Sequence, residues 1–187
     1  MRLFVALPLP AAIAEAASRL LPELRILRPV QPELMHITLA FLGATPPELL
    51  HDAIAAVEVV RDTPAFDVSL EQAGRFPERG RPHTVWIGAA QGADQIRAVG
   101  ARVRVELEAR GLAFDAKPLQ AHVTIARVRE GADALDARTI NETVRRLDVP
   151  PMPFRADHIV LFESVLSPKG PRYTPRATAS LRVGGRP

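Results

Sequence analysis

A segment that carries two polar, proton-exchanging residue types occurs twice in this sequence. Residues 36–42 read HITLAFL and residues 122–128 read HVTIARV, aligned without gaps and 86 positions apart. Each copy has the pattern of a β-strand, in which alternate side chains share a face. Histidine and threonine (the HxT motif) and the alanine two residues later, Ala40 or Ala126, are therefore expected on one face, and the aliphatic residues between them on the other.

Two such motifs supply the groups that hydrolysis of a phosphate ester requires. One neutral imidazole can accept a proton from water and one imidazolium can protonate the departing oxygen, because the pKa of histidine lies near neutrality. The hydroxyls of Thr38 and Thr124 can donate to the nonbridging oxygens. We therefore predict acid–base catalysis by His36 and His122 on a single phosphate. The alternative is a pair of structurally satisfied histidines, and the matching strand patterns favour catalysis.

Composition indicates an ordinary globular chain and excludes some chemistry. Of the 187 residues 47% are hydrophobic, and 24 basic against 21 acidic residues give a net charge of +3. Almost all basic residues are arginines, which suit bidentate phosphate contacts but equally reflect codon usage. The absence of cysteine excludes disulfides, thiolate metal sites and a cysteine nucleophile, and it fits the cytoplasm. The apolar run in residues 1–10 is too short for a signal peptide or a membrane span. We expect one domain over residues 1–187, monomeric and without a membrane partner.

Periodicity and turn residues predict alternating strands and helices. Gly111 is expected to cap the helix that ends near residue 110, and Thr45 and Asp133 are expected to begin two others. The two HxT strands, each followed by a helical pattern, predict two related lobes. Predicted strands cover residues 2–8, 35–43, 66–74, 84–89, 122–128, 154–164 and 172–183, and predicted helices cover residues 10–24, 45–60, 93–110 and the stretch from 133 to before 150.

The paired motifs resemble those of the 2H phosphoesterase superfamily, specifically its RNA 2',3'-cyclic phosphodiesterases, long named 2'-5' RNA ligases. The similarity covers nearly the whole chain. The resemblance implies an α+β fold of two pseudosymmetric lobes, each an antiparallel sheet packed with helices, around a central cleft. Further fragments occur in the family's order: RLFVAL at 2–7, AFLG at 40–43, AGRF at 73–76, VWIG at 85–88 and GPRYTP at 170–175.

The resemblance also implies a reaction and its residues. The reaction is hydrolysis of RNA 2',3'-cyclic phosphate ends to 2'-phosphates, with no metal and no cofactor, and tRNA fragments or cyclic nucleotides are candidate substrates. His36 would be the acid and His122 the base. Phosphate oxygens would be bound by Thr38 and Thr124, with Arg127 assisting and Phe76 near the substrate.

Two features depart from the family pattern. Members commonly have proline directly before the second histidine and an aromatic residue shortly upstream, where this chain has Ala121 and Leu119. Arg127 follows His122 by five residues, so strict alternation points it away from the cleft. Only twist, a β-bulge or its long stem would return it.

Other polar residues have simpler interpretations. His51-Asp52 resembles the signature of metal-dependent HD phosphohydrolases, but no other histidine or carboxylate stands at a supporting spacing, so we favour solvated helix residues. We interpret His83 and His158 as structural or surface residues. Three arginines in the loop at 74–82 either bind an RNA backbone or are solvated, and Tyr173 either contacts a base or anchors the core. Two further functions stay open: a noncatalytic RNA or nucleotide binding module, and reversible 2'-5' RNA ligation.

Overall fold

The structure, a computed structural model, describes residues 1–168 and 170–182, and its strands form one antiparallel sheet. The strands are β1 Arg2–Pro8, β2 Leu27–Pro29, β3 His36–Ala44, β4 Phe66–Phe76, β5 Thr84–Gln91, β6 His122–Val128, β7 Met152–Ala156, β8 His158–Ser167 and β9 Gly170–Ser180. The helices are α1 Ala11–Ser18, α2 Leu50–Glu58, α3 Ala93–Ala109 and α4 Ala134–Arg146, with short 3₁₀ turns at Pro32–Leu34 and Pro47–Leu49. No helix in the described ranges combines the length and apolar character needed to cross a membrane.

The sheet has two halves that join at the two HxT strands. Its order is β7-β4-β5-β6-β3-β1-β8-β9, and β2 pairs with β6 beside this path. Each half thus contributes four strands to this path, with one HxT strand at its inner edge, and β2 is a fifth strand of the half that contains β6. The predicted α+β fold with two pseudosymmetric halves is confirmed, and the two sheets of the prediction are continuous with each other.

The apolar residues of the HxT strands lie in the core. Ile37, Leu39, Val123 and Ile125 are all at most 2% exposed. Helix α3 packs on β3, α2 packs on α3 and on β8 and β9, and α4 packs on β4. Burial of an aliphatic side chain of this size stabilises the fold by about 1.5–3 kcal/mol. This packing fixes which face of each strand is buried, and it leaves the histidine and threonine face free.

Proline makes two predicted helices begin or end elsewhere. The helix predicted over 10–24 ends at Ser18, since Pro22 lacks an N–H and disfavours helical geometry before it. Thr45 does not cap a helix. Its hydroxyl donates to the Gly43 carbonyl at 3.3 Å, and the prolines at 46 and 47 delay α2 to Leu50. The predicted caps at Asp133 and Gly111 are confirmed, with Gly111 at φ 71°.

One predicted strand is two strands in different halves of the sheet. The prediction over 154–164 is interrupted at Asp157, whose carbonyl accepts from the Leu181 N–H at 2.7 Å. β7 pairs with β4, whereas β8 pairs with β1 and β9. Such pairings join residues far apart in sequence, which periodicity does not reveal. The last predicted strand is confirmed through Ser180, and its end at residue 183 lies outside the described residues.

Candidate active site

The two HxT motifs meet where the halves of the sheet join. β3 and β6 run antiparallel with Ile37 opposite Val123. This register sets His36 across from Thr124 and His122 across from Thr38. His36 and His122 are then diagonal neighbours, whose Cα atoms lie roughly 7–8 Å apart in a regular ladder. The two histidines and two threonines therefore form one cluster on one face of the sheet.

Each imidazole is held by a hydrogen bond from Nδ1 to the backbone carbonyl two residues before it. Nδ1 of His36 lies 2.8 Å from the Leu34 carbonyl oxygen, and Nδ1 of His122 lies 2.8 Å from the Gln120 carbonyl oxygen. A carbonyl oxygen only accepts, so both Nδ1 atoms carry hydrogen and donate. Nε2 is therefore the nitrogen of each ring that is left to exchange a proton with a bound molecule.

Aromatic rings hold both imidazoles from the side. The ring of His36 packs against Phe4, with centroids 4.9 Å apart, and against the edge of Tyr173 at 5.5 Å. The ring of His122 packs edge-on against Phe76 at 4.9 Å, and a second edge contact at 5.9 Å comes from the tryptophan of β5. Such contacts restrict ring rotation. The sequence repeat is thus matched by a repeated aromatic environment.

Both imidazoles have a pKa below the ordinary value of histidine in the free protein. Burial lowers the pKa of His36 to about 4; the Leu34 carbonyl opposes this shift, and the charges of Arg127 and His122 add to it. Burial also lowers the pKa of His122, against the opposing effect of its hydrogen bond to Gln120. Both rings are therefore mainly neutral at pH 7. A bound phosphate anion would raise both pKa values, because it stabilises the protonated rings.

A cleft of about 560 Å³ lies over the two motifs. This volume falls within the range of small-molecule sites. The described residues that line it include His36, Thr38, His122 and Thr124 together with two arginines, and no aspartate or glutamate is among them. The polar part of this lining thus offers hydrogen-bond donors and positive charge, which suit an anionic phosphate.

Arg127 reaches this cleft because β6 contains a β-bulge. Trp86 pairs with Thr124 and Val85 pairs with Ala126, so Ile125 is an extra residue on β6. Ile125 and Ala126 are consequently buried in succession and the alternation changes phase, so the expectation that Ala126 shares the face of His122 and Thr124 is wrong. Arg127 then lines the cleft, and its charge contributes to lowering the pKa of both His36 and Tyr173. Of the three explanations that the sequence left open, namely twist, a β-bulge or the long side chain, the structure shows a bulge.

The same bulge in β3 places an aromatic residue that the sequence prediction missed. Val5 pairs with Ala40 and Ala6 pairs with Thr38, so Leu39 is the extra residue. Phe41, which the repeat aligns with Arg127, consequently lines the cleft as well. Its alignment with Arg127 was the available signal. Missed too was Arg28, which lines the cleft from β2, a strand too short to show periodicity.

Phe76 lies behind His122 and does not line the cleft. Its ring contacts the imidazole of His122 and the indole of Trp86, at 4.9 and 5.2 Å between centroids. The position fits a role in holding the histidine, and the proximity of Phe76 to substrate stays a prediction. Tyr173, by contrast, lines the cleft.

The remaining polar candidates lie elsewhere. His51, His83 and His158 are not among the residues that line the cleft. The carboxylate of Asp52 lies 3.8 Å from the guanidinium of Arg110. In residues 1–168 and 170–182 no three side chains of metal-binding type are grouped together. In the loop at 74–82 one arginine, Arg75, donates to two carbonyls of its own loop.

The fold and the cleft define a family. The model of the 2'-5' RNA ligase superfamily matches residues 8–166. The chain belongs to this superfamily, so the predicted family is confirmed. The prediction that it is an enzyme is confirmed with it.

Several relatives match almost the whole chain. Proteins named RNA 2',3'-cyclic phosphodiesterase include one from Thermus thermophilus, 36% identical over 97% of this chain and 91% of the relative. Another, from Archaeoglobus fulgidus, is 35% identical over 92% and 96%. A crystal structure of a protein from Thermus thermophilus has a TM-score of 0.78 at 30% identity, covering 99% of this chain and 100% of that one. Escherichia coli LigT complexed with 3'-AMP has a TM-score of 0.73 at 26% identity, covering 96% and 97%.

Proposed function

We propose that this protein hydrolyses RNA 2',3'-cyclic phosphate ends to 2'-phosphates, with His36 and His122 as the proton-transferring pair and without a metal. The observation that carries the proposal is the pair of imidazoles beside one cleft that also contains arginine. Each imidazole donates from Nδ1 to a backbone carbonyl, which leaves Nε2 to exchange a proton with substrate. The names of the relatives support the substrate.

The reaction needs one proton accepted and one donated. Water attacks phosphorus while one Nε2 accepts its proton. The bond from phosphorus to the ribose O3' breaks, and the other Nε2–H protonates that oxygen, so the phosphate stays on O2'. The hydroxyls of Thr38 and Thr124 and the guanidinium of Arg127 donate to the nonbridging oxygens, where charge increases. Catalysis then consists of positioning and electrostatic stabilisation.

The order of the two roles depends on where the proton resides. The resemblance assigns the acid to His36, yet in the free protein burial and Arg127 bring the pKa of this ring to about 4. A phosphate bound at Arg127 offsets the charge of the guanidinium and raises that pKa. A substrate with sulfur in place of O3' distinguishes the roles, since a thiolate leaves without protonation. Selective rescue of His36→Ala by this substrate identifies His36 as the acid, and rescue of His122→Ala assigns the reverse order.

The test is phosphorus NMR of an oligoribonucleotide with a 2',3'-cyclic end, incubated with enzyme in EDTA. We expect a 2'-phosphate product, and a rate at least about a hundredfold lower for His36→Ala and for His122→Ala. His51→Ala, which changes an exposed histidine on α2, is the matched control. Wild-type rates in both cleft variants would refute the two-histidine mechanism. Loss of activity in EDTA and in His51→Ala would instead support the HD alternative.

The same assay separates the other functions. A 2'-5' phosphodiester formed after addition of RNA with a 5'-hydroxyl would show ligation. Binding of the cyclic end with no product would show a noncatalytic module. We further propose a cytoplasmic monomer that acts on RNA ends such as those of tRNA fragments or on cyclic nucleotides, and sedimentation equilibrium checks the monomer.

A further inference from the structure

Two arginines stand directly opposite each other in the wall of the cleft. β2 pairs with β6 so that Arg28 is the partner of Arg127. Directly opposed residues in an antiparallel pair project from the same face, and both of these line the cleft. Like charges in this arrangement repel and weaken the strand pairing. The pair therefore needs a compensating interaction.

No such compensation comes from the described part of the protein. No carboxylate there lies within 4.0 Å of either guanidinium. The described lining of the cleft contains no acidic residue either. An anionic ligand would supply the missing charge, and a guanidinium binds a phosphate through two parallel hydrogen bonds.

Backbone contacts on both sides hold the strand that carries Arg28. The Val30 N–H donates to the Ile125 carbonyl and the Arg129 N–H donates to the Ile26 carbonyl, both at 2.9 Å. Leu27 is buried, with 4% of its surface exposed. Arg28 is thus an exposed side chain on a fixed backbone, which is the arrangement of a binding residue rather than of a mobile loop.

The guanidiniums of Arg127 and Arg28 have different neighbours in the cleft. The charge of Arg127 acts on His36 and Tyr173, whereas that of Arg28 is not among the causes of either pKa shift. Nη2 of Arg28 lies 3.8 Å from the place where a Cβ on Gly170, the first residue of β9, would be. Arg28 therefore reaches toward the β8–β9 hairpin.

We propose that Arg28 binds the internucleotide phosphate next to the cyclic end, and that it thereby makes the enzyme favour oligoribonucleotides over cyclic mononucleotides. This rests on the proposed function. Arg127 then binds the reacting phosphate, and the two opposed guanidiniums are neutralised by successive phosphates of one strand.

The test compares kcat/KM for a cyclic-ended dinucleotide and for the cyclic mononucleotide with the same terminal base. Arg28→Ala should lower the dinucleotide-to-mononucleotide ratio by about tenfold or more, as expected for a charge-assisted hydrogen bond. Arg25→Ala is the matched control. Arg25 lies three residues before Arg28 in the sequence and does not line the cleft, so its replacement should keep the wild-type ratio. A dinucleotide with an uncharged methylphosphonate linkage should show the lower ratio in wild type, and Arg28→Ala should not reduce it further.

If Arg28→Ala leaves the dinucleotide-to-mononucleotide ratio unchanged, whether or not kcat/KM falls equally for both substrates, the proposal is overturned. Failure of the proposed function has a different signature, since wild type would then turn over neither substrate. In that case calorimetric binding of a 3'-phosphorylated dinucleotide and mononucleotide to wild type and Arg28→Ala still decides the role of Arg28. A loss of affinity in Arg28→Ala that is confined to the dinucleotide supports this role. The same dinucleotide affinity in Arg28→Ala and in wild type refutes it.

Discussion

The low pKa of His36 has a measurable effect on stability. In the folded protein this pKa is about 4, against about 6.5 for an unfolded histidine. As pH falls, the unfolded chain binds the proton first, so the free energy of unfolding decreases from about pH 6.5 downward and the loss is complete below pH 4. The gap between the two pKa values corresponds to about 3 kcal/mol in total, of which about 2 kcal/mol is lost by pH 5.

The assay is urea unfolding at pH 7 and pH 5, followed by the fluorescence of the only tryptophan. Wild type should lose about 2 kcal/mol more than His36→Gln between these pH values, since glutamine does not titrate. Carboxylates with lowered pKa, such as those of Asp62 and Asp115, contribute to both proteins and cancel. His83→Gln, at an exposed histidine, should behave as wild type. Equal losses in wild type and His36→Gln would refute the claim that burial keeps this ring neutral.

Three further predictions concern the neighbours of the histidines. Arg127→Gln should raise the pKa of His36 in the free protein, because it removes a nearby positive charge; an unchanged NMR titration of that ring would contradict this. Thr38→Val and Thr124→Val should each lower kcat by about ten- to a hundredfold while circular dichroism is unchanged, and wild-type kcat would exclude them as donors to the phosphate. Gly74→Ala would place a Cβ 2.1 Å from the indole ring, so it should shift the tryptophan emission and destabilise the fold by about 1–3 kcal/mol. Unaltered emission and stability would show that the indole is not held there.

The motif strands were predictable because their signals are local and strong. Alternation gave both HxT strands, and the repeat itself indicated that two halves would each contribute one motif. The bulges also had a signal, since the apolar pairs Leu39-Ala40 and Ile125-Ala126 break the alternation at the same place in both copies. Their consequence, the return of Arg127 and Phe41 to the cleft, becomes visible only once the strand partners are known.

Other features depend on contacts between residues that are distant in sequence. Arg28 reaches the cleft through β2, three residues whose pairing with β6 brings together positions about a hundred residues apart. The division of the predicted strand over 154–164 follows from partners in opposite halves of the sheet. Phe76 was predicted by family resemblance rather than by geometry, and its ring lies beside the His122 imidazole instead of in the cleft.

The central claim is that imidazoles from the two halves act on one phosphorus atom, and a crystal structure with a bound 2'-nucleotide tests it most directly. We expect Nε2 of His36 and Nε2 of His122 each to lie within about 3.2 Å of an oxygen of the same phosphate. A phosphate that contacts one ring alone, or that binds outside the cleft, would contradict it.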